Sequence, residues 1–176
     1  MRTISDRYQK LNYELHKQSA DYGGHGDKNA TAVVNVARNI GAKSILDYGC
    51  GKGRLGAAVR ELAPDIDMRE YDPSVPGKTK QPAPADLVVC CDVMEHVEPE
   101  YVDSVLAHLH AVTQRILMAT FATTESTQTL ADGRNAHLIV QPAEWWLEKI
   151  GVHFEPVEPP SYDATGFGLI AKPRPK

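Results

Sequence analysis

The stretch SILDYGCGKGRLG, Ser44 to Gly56, decides how the rest of the chain is read. A short apolar run ends at Tyr48, glycines follow at 49, 51, 53 and 56, and RLGAAVREL then repeats Leu55, Val59 and Leu62 at helical spacing before Pro64. That is a strand, a glycine turn and a helix. Working outward, ATAVVNVARNIG predicts a helix upstream, with Gly41 as its stop, and DMREYD predicts a second strand downstream. The segment PSVPGKTKQPAPA carries four prolines, which exclude a regular helix or central strand. DLVVCCDV is a continuous apolar run of the kind buried on both faces, PEYVDSVLAHLHAV is a helix behind Pro99, RILMATFA is a strand, and PAEWWLEKIG is a helix stopped by Gly151. HFEPVEP and FGLIAK are joined by too few residues for a helix, so they are expected to pair antiparallel. The alternation of helix and strand predicts an α/β fold with a mostly parallel sheet covered on both faces.

At 176 residues the chain has the length of one domain, residues 1–176. Lys and Arg total 19 against 23 Asp and Glu, a net charge of −4, which disfavours long nucleic acid as a partner. Cys50, Cys90 and Cys91 are odd in number and lie in apolar contexts, as expected of a reducing compartment. The first residues are polar and charged, and no window approaches 18 apolar residues. The expected location is therefore cytoplasmic, with no membrane contact. The oligomeric state is left open.

A glycine turn between strand and helix lets a ligand approach the backbone, and both NAD and S-adenosylmethionine sites use one. The dinucleotide spacing matches at Gly51, Gly53 and Gly56, but its first glycine is displaced from the strand end. The other register, an acid closing the strand and then alternating glycines, fits Asp47, Gly49, Gly51 and Gly53 directly. Adenosylmethionine has an ammonium for which Asp47 is suited. A turn with no ligand is the third reading. Asp72, about 20 residues beyond the glycines at the end of the second strand, is placed to accept from ribose hydroxyls. The lesser alternative is a turn aspartate before Pro73.

Through ILDYGCGKG, EYDPS and DLVVCCDVMEHVEP the chain resembles the class I methyltransferases that use S-adenosylmethionine, over about residues 31 to 172. DGRNAH and EWW are similar to stretches of compact members encoded by tailed phages. The resemblance implies a Rossmann-like sheet of seven strands in the order 3-2-1-4-5-7-6, with strand 7 antiparallel. The strand 3 region is shortened here, and residues 1–30 supply a helix and lid ahead of the core. It further implies cofactor binding by Asp47, Gly49, Cys50, Gly51, Gly53, Asp72 and Pro73, with Glu70 a weaker ribose candidate. Cys91, Asp92 and Val93 would border the sulfonium. Tyr22, in the Gly-rich segment, would face the sulfonium from the lid or be a solvent-side linker residue. Tyr8, Leu11 and Leu15 would form a helix that helps close the pocket. No acid stands where the family reads adenine.

In DVMEHVEP, Asp92, Glu95 and His96 fall at i, i+3 and i+4, on one face if a helical turn begins there. Glu95 and His96 have three readings: pocket lining, a general base, or, with His137 as a remote fourth group, a metal cluster similar to that of small-RNA 2′-O-methyltransferases. Asp92 is short for that cluster, and no metal is expected. His96, His137 and Glu95 are the catalytic candidates, and Arg134, Asn135 and Trp145 the substrate-binding ones. His16, His25, His108, His110 and His153 read as surface positions. The expected activity is methyl transfer to O or N of a small polar acceptor. A nucleotide or RNA methyltransferase, an NAD-dependent oxidoreductase and a silent adenosylmethionine-binding protein are the alternatives.

Overall fold

The computed structural model describes residues 2–20, 22–24 and 26–175. Strands β1 (Ser44–Tyr48), β2 (Asp67–Tyr71), β3 (Ala85–Cys91), β4 (Thr113–Ala122), β5 (Phe154–Pro156), β6 (Ser161–Tyr162) and β7 (Gly166–Pro173) form one sheet. Its order is β2-β1-β3-β4-β7-β5, with β6 also on β7. β1 is parallel to β2 and β3, β3 is parallel to β4, and β7 runs antiparallel to β4 and β5. Every residue of β1 is buried. That follows from its apolar run and from helices on both faces.

Alternation along the strands divides the core in two. Ile45, Leu87 and Val89 pack with α2 (Ala30–Asn39) and α3 (Arg54–Leu62) on one face. Leu46, Val88, Cys90 and Leu117 pack with α4 (Val102–Val112) and α5 (Ala143–Gly151) on the other, where Trp146 is fully buried. Gly41, with φ +63°, ends α2.

Two details of the expected sheet change. No strand lies outside β2 among the described residues: Pro73, Pro76, Pro82 and Pro84 remove the N–H groups that a further edge ladder needs, and residues 73–84 form a loop. The far edge instead is broken into β5 and β6. Phe154 pairs with Pro173 and Ser161 with Gly168, and Pro156, Pro159 and Pro160 occupy the break. Seven strands result, by a different count.

Helix α1 (Asp6–Gln18) starts where the Ser5 hydroxyl accepts the Tyr8 N–H. It buries Tyr8 and Leu15 against Leu130 and Ala136, so it rests on the loop between β4 and α5 rather than on the sheet. Among the described residues, no helix is long and apolar enough to cross a membrane.

Candidate functional site

β1 leads outward to β2, and the chain then returns to β3 on the other side of β1. Open α/β sheets bind ligands at such a reversal, beyond the carboxyl ends of the strands. A cavity of about 250 Å³ lies there. Asp47, Gly49, Cys50, Asp72, Pro73, Cys91, Asp92 and Val93 line it, as do Tyr22, His96 and His137.

The glycine turn is fixed to β2 by the N–H groups of Gly49 and Cys50, which donate to the Tyr71 carbonyl at 2.8 and 3.1 Å. Gly49 has φ +79°, and a Cβ there would overlap the Val93 side chain. Gly51 has φ +47°, and its Cβ would press on the Gly23 backbone. The turn is thus held between the β3 exit and the N-terminal segment, a packing only glycine permits. Gly51 and Gly53 shape the turn without lining the cavity.

Asp72 is buried at the end of β2. Its Oδ2 accepts the Gly51 N–H at 3.0 Å, and its Oδ1 accepts the N–H and hydroxyl of Ser74 at 2.8 and 2.9 Å. The carboxylate is clamped to the glycine turn and still has acceptor capacity facing the cavity. Glu70 turns away to pair with Arg60 and Lys78. Asp47 is buried, and desolvation, with Glu70 nearby, raises its carboxyl to about 7.

Helix α1 closes the cavity. Asn12 donates to the Ser74 hydroxyl at 2.7 Å, Gln9 donates to the Pro73 carbonyl, and Ser5 gives its N–H and hydroxyl to the Glu98 carboxylate at 2.8 and 2.6 Å. The Tyr22 hydroxyl donates to Asn12 at 2.8 Å. His16 also lines the cavity, against Tyr22 and beside Gly23 and Gly51, and burial lowers its pKa. The surface reading of His16 is therefore corrected. His108 is corrected likewise, since it is half-buried with Nδ1 2.8 Å from the Tyr48 hydroxyl. His25 lies outside the described residues. Asn12, His16, Glu98 and Ser126 line the cavity unannounced by any motif. The spacing Tyr8, Asn12, His16 on one helical face was the available signal.

Asp92, Glu95 and His96 do not share a face. Asp92 adopts φ +55° and hydrogen-bonds Thr120 through both its N–H and its carboxylate, and only Met94–His96 form a helical turn. Its side chain is drawn to β4. Glu95 is fully buried behind the cavity wall: Oε1 accepts the Ala122 N–H at 3.0 Å, whereas Oε2 has no hydrogen-bond partner. Burial raises its carboxyl to about 8. Burial, with His137 beside it, lowers His96 to about 4, so the ring is neutral at pH 7.

His137 joins this pair instead of Asp92. The two imidazoles meet edge to face at 4.8 Å, and one ring nitrogen from each lies within 4.8 Å of a Glu95 carboxylate oxygen and of the other. Nδ1 of His96 is 2.7 Å from the Ala136 carbonyl and Nδ1 of His137 is 2.6 Å from the Thr124 carbonyl. A carbonyl only accepts, so both Nδ1 atoms carry protons, and the neutral His96 ring offers its lone pair at Nε2.

Three expected substrate contacts are not brought to the cavity. Arg134 is occupied by Asp132 and lies over the Tyr8 ring. Asn135 is spent within its loop: Oδ1 accepts the N–H groups of Ser126 and His137, and Nδ2 donates to the Ser126 carbonyl. Trp145 packs on Trp146 beneath Lys149. Asn135 thereby positions His137 without reaching a ligand.

A family model described as a methyltransferase domain matches residues 21–156. No curated protein matches the sequence. Among solved structures, a Burkholderia thailandensis 1,6-didemethyltoxoflavin-N1-methyltransferase with S-adenosylhomocysteine bound superimposes with a TM-score of 0.66 at 16% identity, over 95% of this chain and 87% of that one. The N-methyltransferase NodS of Bradyrhizobium japonicum, with S-adenosylhomocysteine, gives 0.59 at 16% over 98% and 100%. Human N-acetylserotonin methyltransferase with S-adenosylmethionine gives 0.59 at 12% over 94% and 56%. At such identities the superpositions establish a shared fold.

Proposed function

The chain belongs to the methyltransferase-domain family, matched over residues 21–156, and on that premise we propose that it transfers the methyl group of S-adenosylmethionine to O or N of a small polar acceptor. The observation that carries the reading is Asp72, clamped onto Gly51 and Ser74 at the cavity rim with acceptor capacity to spare. The residues present fit the donor: Gly49 and Cys50 bring the backbone of the turn to the cavity wall, and acidic side chains face a molecule that carries an ammonium and a sulfonium.

When bound, S-adenosylmethionine supplies an electrophilic methyl group. Asp72 would accept from the ribose hydroxyls and Asp47 would face the ammonium, while Cys91, Asp92 and Val93 would border the sulfonium end and Tyr22 would meet it from the lid segment. Methyl transfer depends first on alignment, which α1 enforces by closing over Pro73 and Ser74 and excluding water. Neutral His96 presents an unprotonated Nε2, able to take a proton from the acceptor, with the His137 ring edge to face beside it.

The test is calorimetry with S-adenosylmethionine and with NADH, followed by mass spectrometry of a metabolite pool incubated with methyl-labelled donor. Tight donor binding and a labelled product support the reading. NADH binding without S-adenosylmethionine binding overturns it, and donor binding with no product from any pool makes the chain a binding protein.

A further inference from the structure

Glu95, His96 and His137 converge within 4.8 Å of one another, and a cation entering between them holds the Glu95 carboxyl in its ionised, accepting form. Glu95 Oε2 is buried without a partner, and both imidazoles have committed their protons to backbone carbonyls. Buried acceptors of this kind call for a donor from elsewhere. The three ligand atoms lie within 4.8 Å of one another, so one small donor group placed between them is within hydrogen-bond reach of all three.

The number of donors also matters. A hydroxyl satisfies one corner and an amide NH₂ two, whereas an ammonium supplies three N–H groups splayed toward three partners. The charge of the cavity agrees: Asp47, Asp72, Asp92 and Glu98 line it against the single guanidinium of Arg54. An anionic acceptor meets repulsion there, and a cation does not.

We infer that Glu95, His96 and His137 form a receptor for the amino group of the acceptor, making the substrate class amines rather than phenols, carboxylates or phosphate esters. This rests on the methyl-transfer reading for the identity of the occupant, but the receptor itself is tested without turnover. His96 and His137 line the cavity and Glu95 closes the site behind them. The amino group enters between the rings as an ammonium and gives the buried Glu95 oxygen its missing partner; loss of one of its protons to the His96 Nε2 frees the nitrogen lone pair that a methyl acceptor needs.

The experiment titrates benzylammonium, benzyl alcohol and benzoate into the protein, with and without S-adenosylhomocysteine. Calorimetry gives the affinities, and nitrogen NMR of the imidazoles reads the Nε2 atoms. Benzylammonium is expected to bind at least tenfold more tightly than the other two and to shift both Nε2 resonances. Glu95→Gln, which puts donors where the amine sits, is expected to cost at least tenfold in amine affinity while S-adenosylhomocysteine affinity is kept. His137→Phe, on the cavity side and outside the core, is the second variant with the same expectation. Equal binding of alcohol or benzoate, or unchanged amine affinity in both variants, overturns the inference. So does zinc or magnesium that displaces the amine and binds through the same three residues. Amine binding without S-adenosylhomocysteine binding leaves the receptor standing and removes the methyl-transfer reading; the converse removes only the receptor.

Discussion

The Tyr22 hydroxyl lies 3.2 Å from Nδ1 of His96 and donates to Oδ1 of Asn12. The Nδ1–H of His96 is directed at the Ala136 carbonyl at 2.7 Å and meets the phenol oxygen only as a second, longer acceptor, so the lid segment rests against the imidazole through a shared proton.

Tyr22→Phe removes the Asn12 bond and the shared contact with His96. The first is worth about 1 kcal/mol and the second less, so S-adenosylmethionine affinity is expected to fall roughly tenfold, and amide exchange across α1 to quicken. Unchanged affinity and exchange would mean that the lid closes without this link.

Asp72→Ala takes away the acceptor for Gly51 and Ser74 together with the ribose contact. Hydrogen bonds to a charged group are worth about 1.5–3 kcal/mol each, which puts the loss of donor affinity at 100-fold or more. Circular dichroism distinguishes this from unfolding.

The two glycine registers respond differently to alanine. Gly49→Ala forces a side chain into a left-handed turn and into Val93, and it is expected to cost about 2 kcal/mol or more and to abolish donor binding. Gly56→Ala only displaces the tip of Glu70 and improves helix propensity, so stability should change by less than about 1 kcal/mol. Thermal melts and calorimetry of both variants check the pair.

Glu95 has its pKa raised to about 8 in the fold, so the stability tied to its protonated form is complete below the unfolded carboxylate value and is lost as pH rises toward 8. Asp47, raised to about 7, acts in the same direction. His96, lowered to about 4, contributes stability above its unfolded value that is lost as pH falls from about 6.5 toward 4. The ligand-free protein is expected to melt lower at pH 8 than at pH 6.5, and Glu95→Gln to flatten that alkaline slope. A slope as steep in the variant as in the parent would assign it elsewhere.

An amine seated between Glu95, His96 and His137 occupies the place a metal ion would take, so methyl transfer is expected to proceed unchanged in the presence of EDTA. Loss of turnover on chelation, restored by a divalent ion, is the contrary result.

The sheet was legible wherever a strand is buried on both faces, because β1 and β3 are unbroken apolar runs. The missing outer strand was announced by its prolines, whereas the break between β5 and β6 was not: its residues had been read as a turn between two longer strands. The placement of Gly49 and Asp72 at one cavity followed from spacing. Asp92 failed the same argument because periodicity assumes a helical backbone, and φ +55° ends it. Arg134 and Asn135 have the chemistry of recognition but spend it inside their own loop. His16 and His108 were misread because a histidine in a polar stretch gives no sign of what will pack over it.

Helix α1 touches both banks of the cavity. Gln9 and Asn12 hold the Pro73 and Ser74 side, while Tyr8 and Leu15 rest on the Leu130 and Ala136 loop that carries His137. The donor and the acceptor therefore share a single doorway. One undocking event serves the exchange of both spent molecules, which makes the lifetime of the closed helix a clock for turnover, and whatever wedges α1 shut stops both exchanges at once.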